Sequence, residues 1–229
     1  FASCTSLQYA SIPSGATKIT SSAFNTCPKI KNIAIPNGIT TIESNAFRYC
    51  YSLKTLNIPN SVTSIGSYAF QNCWSLETLT LPDSITEIPT DAFSNCNALK
   101  TLTLPNTLTT IGNNAFRCCY SLESITIPNS VTTIGNNVFD ECMSARTIVI
   151  GTGVTSMSNN VFAVNSISAP YTTHLESITI KATTPPTITS STFNKTGNCP
   201  IYIPAGTLSA YQSATNWTAL ASRFVELSE

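Results

Sequence analysis

A phenylalanine returns at every twenty-third residue, as Phe1, Phe24, Phe47, Phe70, Phe93, Phe116, Phe139 and Phe162, without one slip in spacing. Around it nearly the same phrase is spelled again; the copy from Ala46 to Tyr68 reads AFRYCYSLKTLNIPNSVTSIGSY. A strict period of this length is the signature of a solenoid, in which each copy is one supersecondary unit stacked on the last. A single unit has too few apolar side chains to offset the conformational entropy lost in ordering it. Stacking gives each copy two neighbours and makes the buried face continuous, so one array is expected rather than two domains.

Leu53, Leu56 and Ile58 set the pattern LxxLxI, repeated as LETLTL from Leu76, LKTLTL from Leu99 and LESITI from Leu122. The last three residues alternate in, out, in, as a short strand does. Copies arriving in the same sense can pair only in parallel, so one strand per coil builds a parallel sheet. Pro59, Pro82, Pro105 and Pro128 follow with no amide to donate, and Asn60, Asp83, Asn106 and Asn129 come next as turn formers. Beyond them Val62, Ile65, Ala69 and Phe70 fit neither strand alternation nor a long helical period, so a bend or short 3₁₀ turn is expected on the far side.

A formal charge of zero, with 10% of residues charged, leaves no electrostatic footprint for a nucleic acid or an anionic membrane. No apolar run approaches the roughly 20 residues that cross a bilayer. The sequence opens in mid-repeat without a methionine, so a leader and further repeats are expected to be missing from it. Seven of the nine cysteines, Cys4, Cys27, Cys50, Cys73, Cys96, Cys119 and Cys142, share one place in the repeat. At roughly 4.8 Å between coils such a row is too long for four thiolates to share one zinc, and parallel side chains make poor disulfides. The row reads as buried free thiols used as small apolar filler; Cys118 and Cys199 stand outside it.

The arrangement AFxxCxSLxxLxIPxSVTxIGxx resembles the leucine-rich repeats of the BspA type, found on surface and secreted proteins of anaerobic bacteria and in some protists. The resemblance implies a right-handed leucine-rich-repeat solenoid with a concave parallel β-sheet and short turns or 3₁₀ segments on the convex side. It also implies a secreted or cell-surface location and a role in adhesion or host contact. About eight repeats fill residues 1–192, with an insertion within 163–174 expected to bulge from the stack and Asn165 in the cysteine place. After Phe193 the period stops, and residues 193–229 resemble the α/β segment that closes such arrays. There CPIYIP reads as a closing strand and Thr207 as the cap of a short helix carrying Leu208 and Tyr211.

Catalysis needs unlike residues converging, whereas an array lays like residues in rows. His174, the only histidine, has no sequence partner that would make it a base or ligand, and adjacent Asp140 and Glu141 should diverge in a solvated turn. No pattern calls for a metal or cofactor, so the chain reads as non-enzymatic. Rows suit extended partners. Thr55, Thr78, Thr101 and Ser124 form one outward row, and Asn57, Thr80, Thr103 and Thr126 the next, making an uncharged, hydroxyl-rich face. Threonine also simply favours strands. After the cysteine come Tyr51, Trp74 and Tyr120, with Tyr49 nearby, rings of the kind that anchor protein interfaces and sugar sites, or that pack on the next coil. Lys31, Lys54, Glu77, Lys100, Glu123, Arg146 and Glu176 nearly alternate in sign as a solvated rim. The expected partner of a monomeric module is a protein, either host matrix or another bacterial surface protein, or a glycan. A passive spacer projecting other domains is the second reading.

Overall fold

The computed structural model describes residues 1–164 and 174–228. It is a leucine-rich-repeat solenoid of stacked coils with in-register parallel strands. Most of the expected insertion within 163–174, Asn165 included, lies outside the described residues.

The broad sheet forms where the sequence pattern places it. Ser124–Ile127, Thr147–Ile150 and Ser177–Ile180 pair in parallel, with Ser124 opposite Thr147 and Thr147 opposite Ser177. Their inward residues are all isoleucine, and each strand runs 4 residues. Where leucine takes those places, in Thr78–Thr80 and Thr101–Thr103, the strands shrink to 3 residues. Asn32, Ala34 and Asn57 point outward in the early coils, and only isolated bridges such as Asn32 with Thr55 form there. The gradient follows β-propensity: β-branched residues fill a pleated surface, whereas asparagine and alanine do not.

The far side contains more order than a bend. Two-residue strands, Lys18–Ile19, Thr41–Ile42 and Ser64–Ile65 in one group and Glu87–Ile88, Thr110–Ile111, Thr133–Ile134 and Ser156–Met157 in another, make a second parallel ladder. A threonine just before these strands bonds the carbonyl of its counterpart one coil back, as in Thr40 to Thr17 at 3.2 Å and Thr132 to Thr109 at 3.2 Å. Turns then lead through the phenylalanine. Arg48 N–H reaches the Asn45 carbonyl and Cys50 N–H that of Phe47, while Asn45, Phe47 and Tyr49 donate forward to Ser67, Ala69 and Gln71 of the next coil. A positive φ at Asn45 (60°) and again at Tyr49 (60°) breaks any 3₁₀ run, so the segment stays a string of turns.

The core is a set of columns. From Phe1 to Phe162 the rings stack with centroids 5.2 Å apart at the closest pair and 5.9 Å at the widest. Phe193 rejoins the column at 5.7 Å from Phe162, and Thr196 behind it takes the place of cysteine. Cys27, Cys50, Cys73, Cys96, Cys119 and Cys142 are buried free thiols, and Cys4 at the first coil is half-buried. They are more than filler, because each buried thiol points at a phenylalanine carbonyl of the coil before, as in Cys50 to Phe24 at 3.2 Å and Cys142 to Phe116 at 3.4 Å.

Beyond Phe193, strand Ile201–Ile203 joins the broad sheet, helix Leu208–Ser213 and a 3₁₀ turn Thr218–Arg223 cross the end, and Phe224–Glu226 pairs with Ile201–Ile203. Trp217 meets Phe193 at 5.4 Å and Tyr211 at 5.1 Å. Thr207 sits at the helix start but turns its hydroxyl to Pro204 O, and the Glu226 carboxylate accepts the Leu208 N–H at 3.0 Å instead. The last strand therefore supplies the cap expected of the threonine.

Replacing Phe70, fully buried in mid-column, with alanine should cost about 3–5 kcal/mol. The same change at Phe1, 67% exposed, should cost under about 1 kcal/mol, both read from urea unfolding. A pH dependence also follows. Burial pushes the Cys50 thiol up to about 12 and those of Cys73, Cys96, Cys119 and Cys142 well above the ordinary value. The folded state thus holds protons that the unfolded chain releases near its ordinary thiol value of roughly 8.5. This stability is complete below that value and is lost as pH climbs toward the folded one. The urea midpoint should be level from about pH 6 to 8 and fall steeply above about pH 9, less steeply in Cys73→Ala.

Candidate functional site

On the broad sheet Thr55, Asn57, Thr78, Thr80, Thr101, Thr103, Ser124 and Thr126 are all exposed. Thr78 lies opposite Thr101 and Thr80 opposite Thr103, so two hydroxyl columns run along the stack. The pairing lapses between Thr101–Thr103 and Ser124–Ile127, which divides the face into two patches.

At one border of this face the rings gather. Tyr51 stacks on Trp74 with centroids 4.1 Å apart, and Tyr49 meets Tyr51 edge-on at 6.0 Å. Trp74 is 46% exposed, and its Nε1–H donates to Asn72 Oδ1 at 3.2 Å. Sequence reasoning missed two members. The Arg48 guanidinium sits 4.6 Å from the Tyr49 ring centroid and 5.3 Å from that of Tyr68, held between two π faces. Tyr49 and Tyr68 both adopt positive φ, 60° and 62°, where asparagine occupies the same register in other coils as Asn72, Asn95, Asn45 and Asn114. A bulky residue pays about 1–3 kcal/mol of strain in that conformation. Tyrosine in an asparagine's place was the signal available in the sequence.

Tyr120 lies apart from this cluster, beyond the coil that carries Asn97. Burial, then its contact with Cys118, raise its phenol to about 12. Around it Asp140 and Glu141, expected to diverge, instead converge on Arg117: Nε to Asp140 Oδ2 is 3.0 Å and Nη2 to Glu141 Oε1 is 3.4 Å. A positive φ at Glu141 (61°) turns its side chain back beside its neighbour's. Cys118 Sγ faces Glu141 Oε2 at 3.7 Å, and burial, aided by that carboxylate, raises its thiol. Cys199 takes a 3.2 Å contact from Arg223 Nη2, yet burial still raises it. Both thiols outside the column are therefore held neutral.

His174 is exposed. The rim charges pair across coils, with Lys54 to Glu77 at 3.2 Å and Arg146 to Glu176 at 3.0 Å. Each such exposed pair is worth under about 1 kcal/mol.

The family model for the BspA type leucine rich repeat region matches in 6 copies, over residues 1–100 and 63–195. The chain belongs to this family. A leucine-rich repeat protein from Eubacterium ventriosum is similar in structure at a TM-score of 0.60 and 31% identity, the match covering 69% of this chain and 43% of that one. A leucine rich cell surface protein from Faecalibacterium prausnitzii matches at 0.54 and 24%, over 92% and 61%. The T. pallidum leucine rich repeat protein matches at 0.51 and 23%, over 74% and 71%; these last two likenesses show the fold. The BspA-type chain thus spans less than two thirds of the first two structures it resembles. No curated protein matches it.

Arg117→Met should leave Asp140 and Glu141 facing each other half-buried and cost about 1–2 kcal/mol in thermal or urea unfolding. Adding Asp140→Asn and Glu141→Gln should recover most of that loss, since the repulsion goes with the charges.

Proposed function

We propose that this BspA-type array is a non-enzymatic binding module of a secreted or cell-surface protein, gripping a protein or glycan partner along the aromatic edge and the adjoining hydroxyl columns. The observation that carries this reading is the pair of strained tyrosines, Tyr49 and Tyr68, clasping Arg48 beside the stack of half-buried Tyr51 on exposed Trp74. Asparagine would make the same turn at lower backbone cost, as it does at Asn72, Asn95, Asn45 and Asn114. Large amphipathic rings and arginine are the side chains that dominate binding energy at interfaces. Thr78, Thr80, Thr101 and Thr103 extend the surface, and Ser124, Thr126 and Tyr120 mark its far end. The name of the Faecalibacterium relative, a cell surface protein, supports the location.

The test is a panel of matrix proteins and glycans probed with this chain and with a Tyr51→Ala, Trp74→Ala double variant. The variant should retain its melting temperature within about 2 °C and lose at least about tenfold in affinity, the share expected of a hot-spot ring. Undiminished retention of the partner would remove the aromatic edge from the proposal. No retained partner at all would favour a passive spacer.

A further inference from the structure

At the opposite end of the turn segment, just past the second ladder, three successive coils place an asparagine doublet: Asn113–Asn114, Asn136–Asn137 and Asn159–Asn160. The second member of each doublet has φ of 52–57°, which asparagine tolerates, so a backbone need accounts for it. The first member has no such need. Earlier coils carry Ser44 and Ser67 in its place and stack equally well.

These first members form a side-chain ladder. Asn113 Oδ1 accepts the Asn136 backbone N–H at 2.8 Å and its Nδ2 at 3.3 Å. Asn136 Oδ1 accepts the same two groups of Asn159 at 3.2 Å each, and Asn159 Oδ1 accepts the Ser191 hydroxyl at 3.0 Å. Every carbonyl oxygen is therefore engaged, whereas each amide nitrogen has two hydrogens and spends at most one. The doublets and Ser191 line a shallow, open groove of about 570 Å³. Neither an ionised group nor an aromatic or aliphatic side chain lines it.

We propose that this groove is a second binding site, distinct from the aromatic edge, and that its ligand is a linear neutral glycan. The surplus amide hydrogens call for oxygen acceptors. The absence of charge from the lining disfavours a polyanion, and the absence of apolar lining leaves nothing for peptide side chains to bury against. A neutral sugar chain supplies hydroxyls that accept from the spare N–H groups and donate to the lone pair left on Asn159 Oδ1. The donors recur once per coil, at roughly 4.8 Å, and this suits a linear polymer of similar repeat lying along the stack from Asn113 to Ser191, over roughly 14 Å. Gly135 keeps the rows close: a Cβ there would stand 2.6 Å from Asn113 Oδ1 and 2.8 Å from Asn113 N.

The chain would be titrated with linear gluco-, xylo- and manno-hexasaccharides, and in parallel arms with oligogalacturonate and a neutral extended peptide, while the side-chain amide resonances of Asn113, Asn136 and Asn159 are followed by NMR. At least one neutral hexasaccharide should shift them saturably. Asn113→Asp keeps the acceptor oxygen and turns the outward donor into an anionic acceptor, and Asn136→Ser copies the residue of earlier coils. Each should weaken binding at least about tenfold while the melting temperature holds, and Trp74→Ala should leave this binding unchanged. No saturable shift with any neutral hexasaccharide, wild-type affinity in both asparagine variants, or response only to the anionic or peptide arm would overturn the proposal. Because the aromatic edge is tested through other residues, either site can fail without the other.

Discussion

Register between coils is the constraint from which the rest of the structure follows. On both ladders alternate backbone amides reach the coil before and the coil after, as in Lys54 N–H to Lys31 O and Thr63 N–H to Thr40 O going back and Leu81 N–H to Thr103 O and Met157 N–H to Thr187 O going forward. Along the turn segment they point one coil forward, as in Phe47 N–H to Ala69 O. Three stretches of each coil are thus locked to neighbours on both sides, and a slip of one residue would break all three at once. Like residues must then fall on like, which is why the side chains sort into columns. Stacked rings gain contact on both faces, and each buried thiol finds a carbonyl on the coil before it. The insertion between Phe162 and Phe193 is accommodated without breaking the column, since both rings still stack.

Much of this was legible in the sequence because a repeat prints its own register. The period fixed which residues share a column, and the LxxLxI alternation placed the broad sheet. The second ladder was not legible. Its strands are two residues long, as in Thr41–Ile42, and two residues cannot display an alternation. The meeting of Asp140 and Glu141 on Arg117 was hidden for another reason: neighbours in sequence diverge unless one backbone torsion is inverted, and nothing in the pair of names reveals the positive φ at Glu141. The thiol-to-carbonyl contacts are not legible either, because size and apolarity mark cysteine as filler and say nothing of where its S–H points.

Within an array, departures from the row carry more information than the row. The left-handed positions accept asparagine at little strain, so tyrosine at positions 49 and 68 stands against local preference and is balanced by the ring and guanidinium contacts made there. The asparagines at 113, 136 and 159 are departures of a milder kind, replacing the serines of earlier coils with a side chain that can bridge three groups. Both departures lie on the turn segment and its borders. Each run covers only a few coils, whereas the phenylalanine and cysteine columns run through nearly all of them.

The same need to pair every backbone group explains the chemistry of the closing segment. At the last coil Ala182, Pro186 and Ile188 present carbonyls to the closing segment. A strand laid across would satisfy them, but the chain places side-chain donors there instead. Tyr211 Oη–H reaches Ala182 O at 2.7 Å, Asn216 Nδ2 reaches Ile188 O at 2.7 Å, and Trp217 Nε1–H reaches Pro186 O at 2.7 Å. Tyr211 and Trp217 also continue the apolar core, being fully buried against Phe193 and each other. A cap made of aliphatic residues would cover the same area and leave buried acceptors unpaired, at about 1–3 kcal/mol for each. Tyrosine and tryptophan meet both demands, apolar body inward and a single donor at the rim, so the carbonyls left at the end of the stack select the residue types that close it.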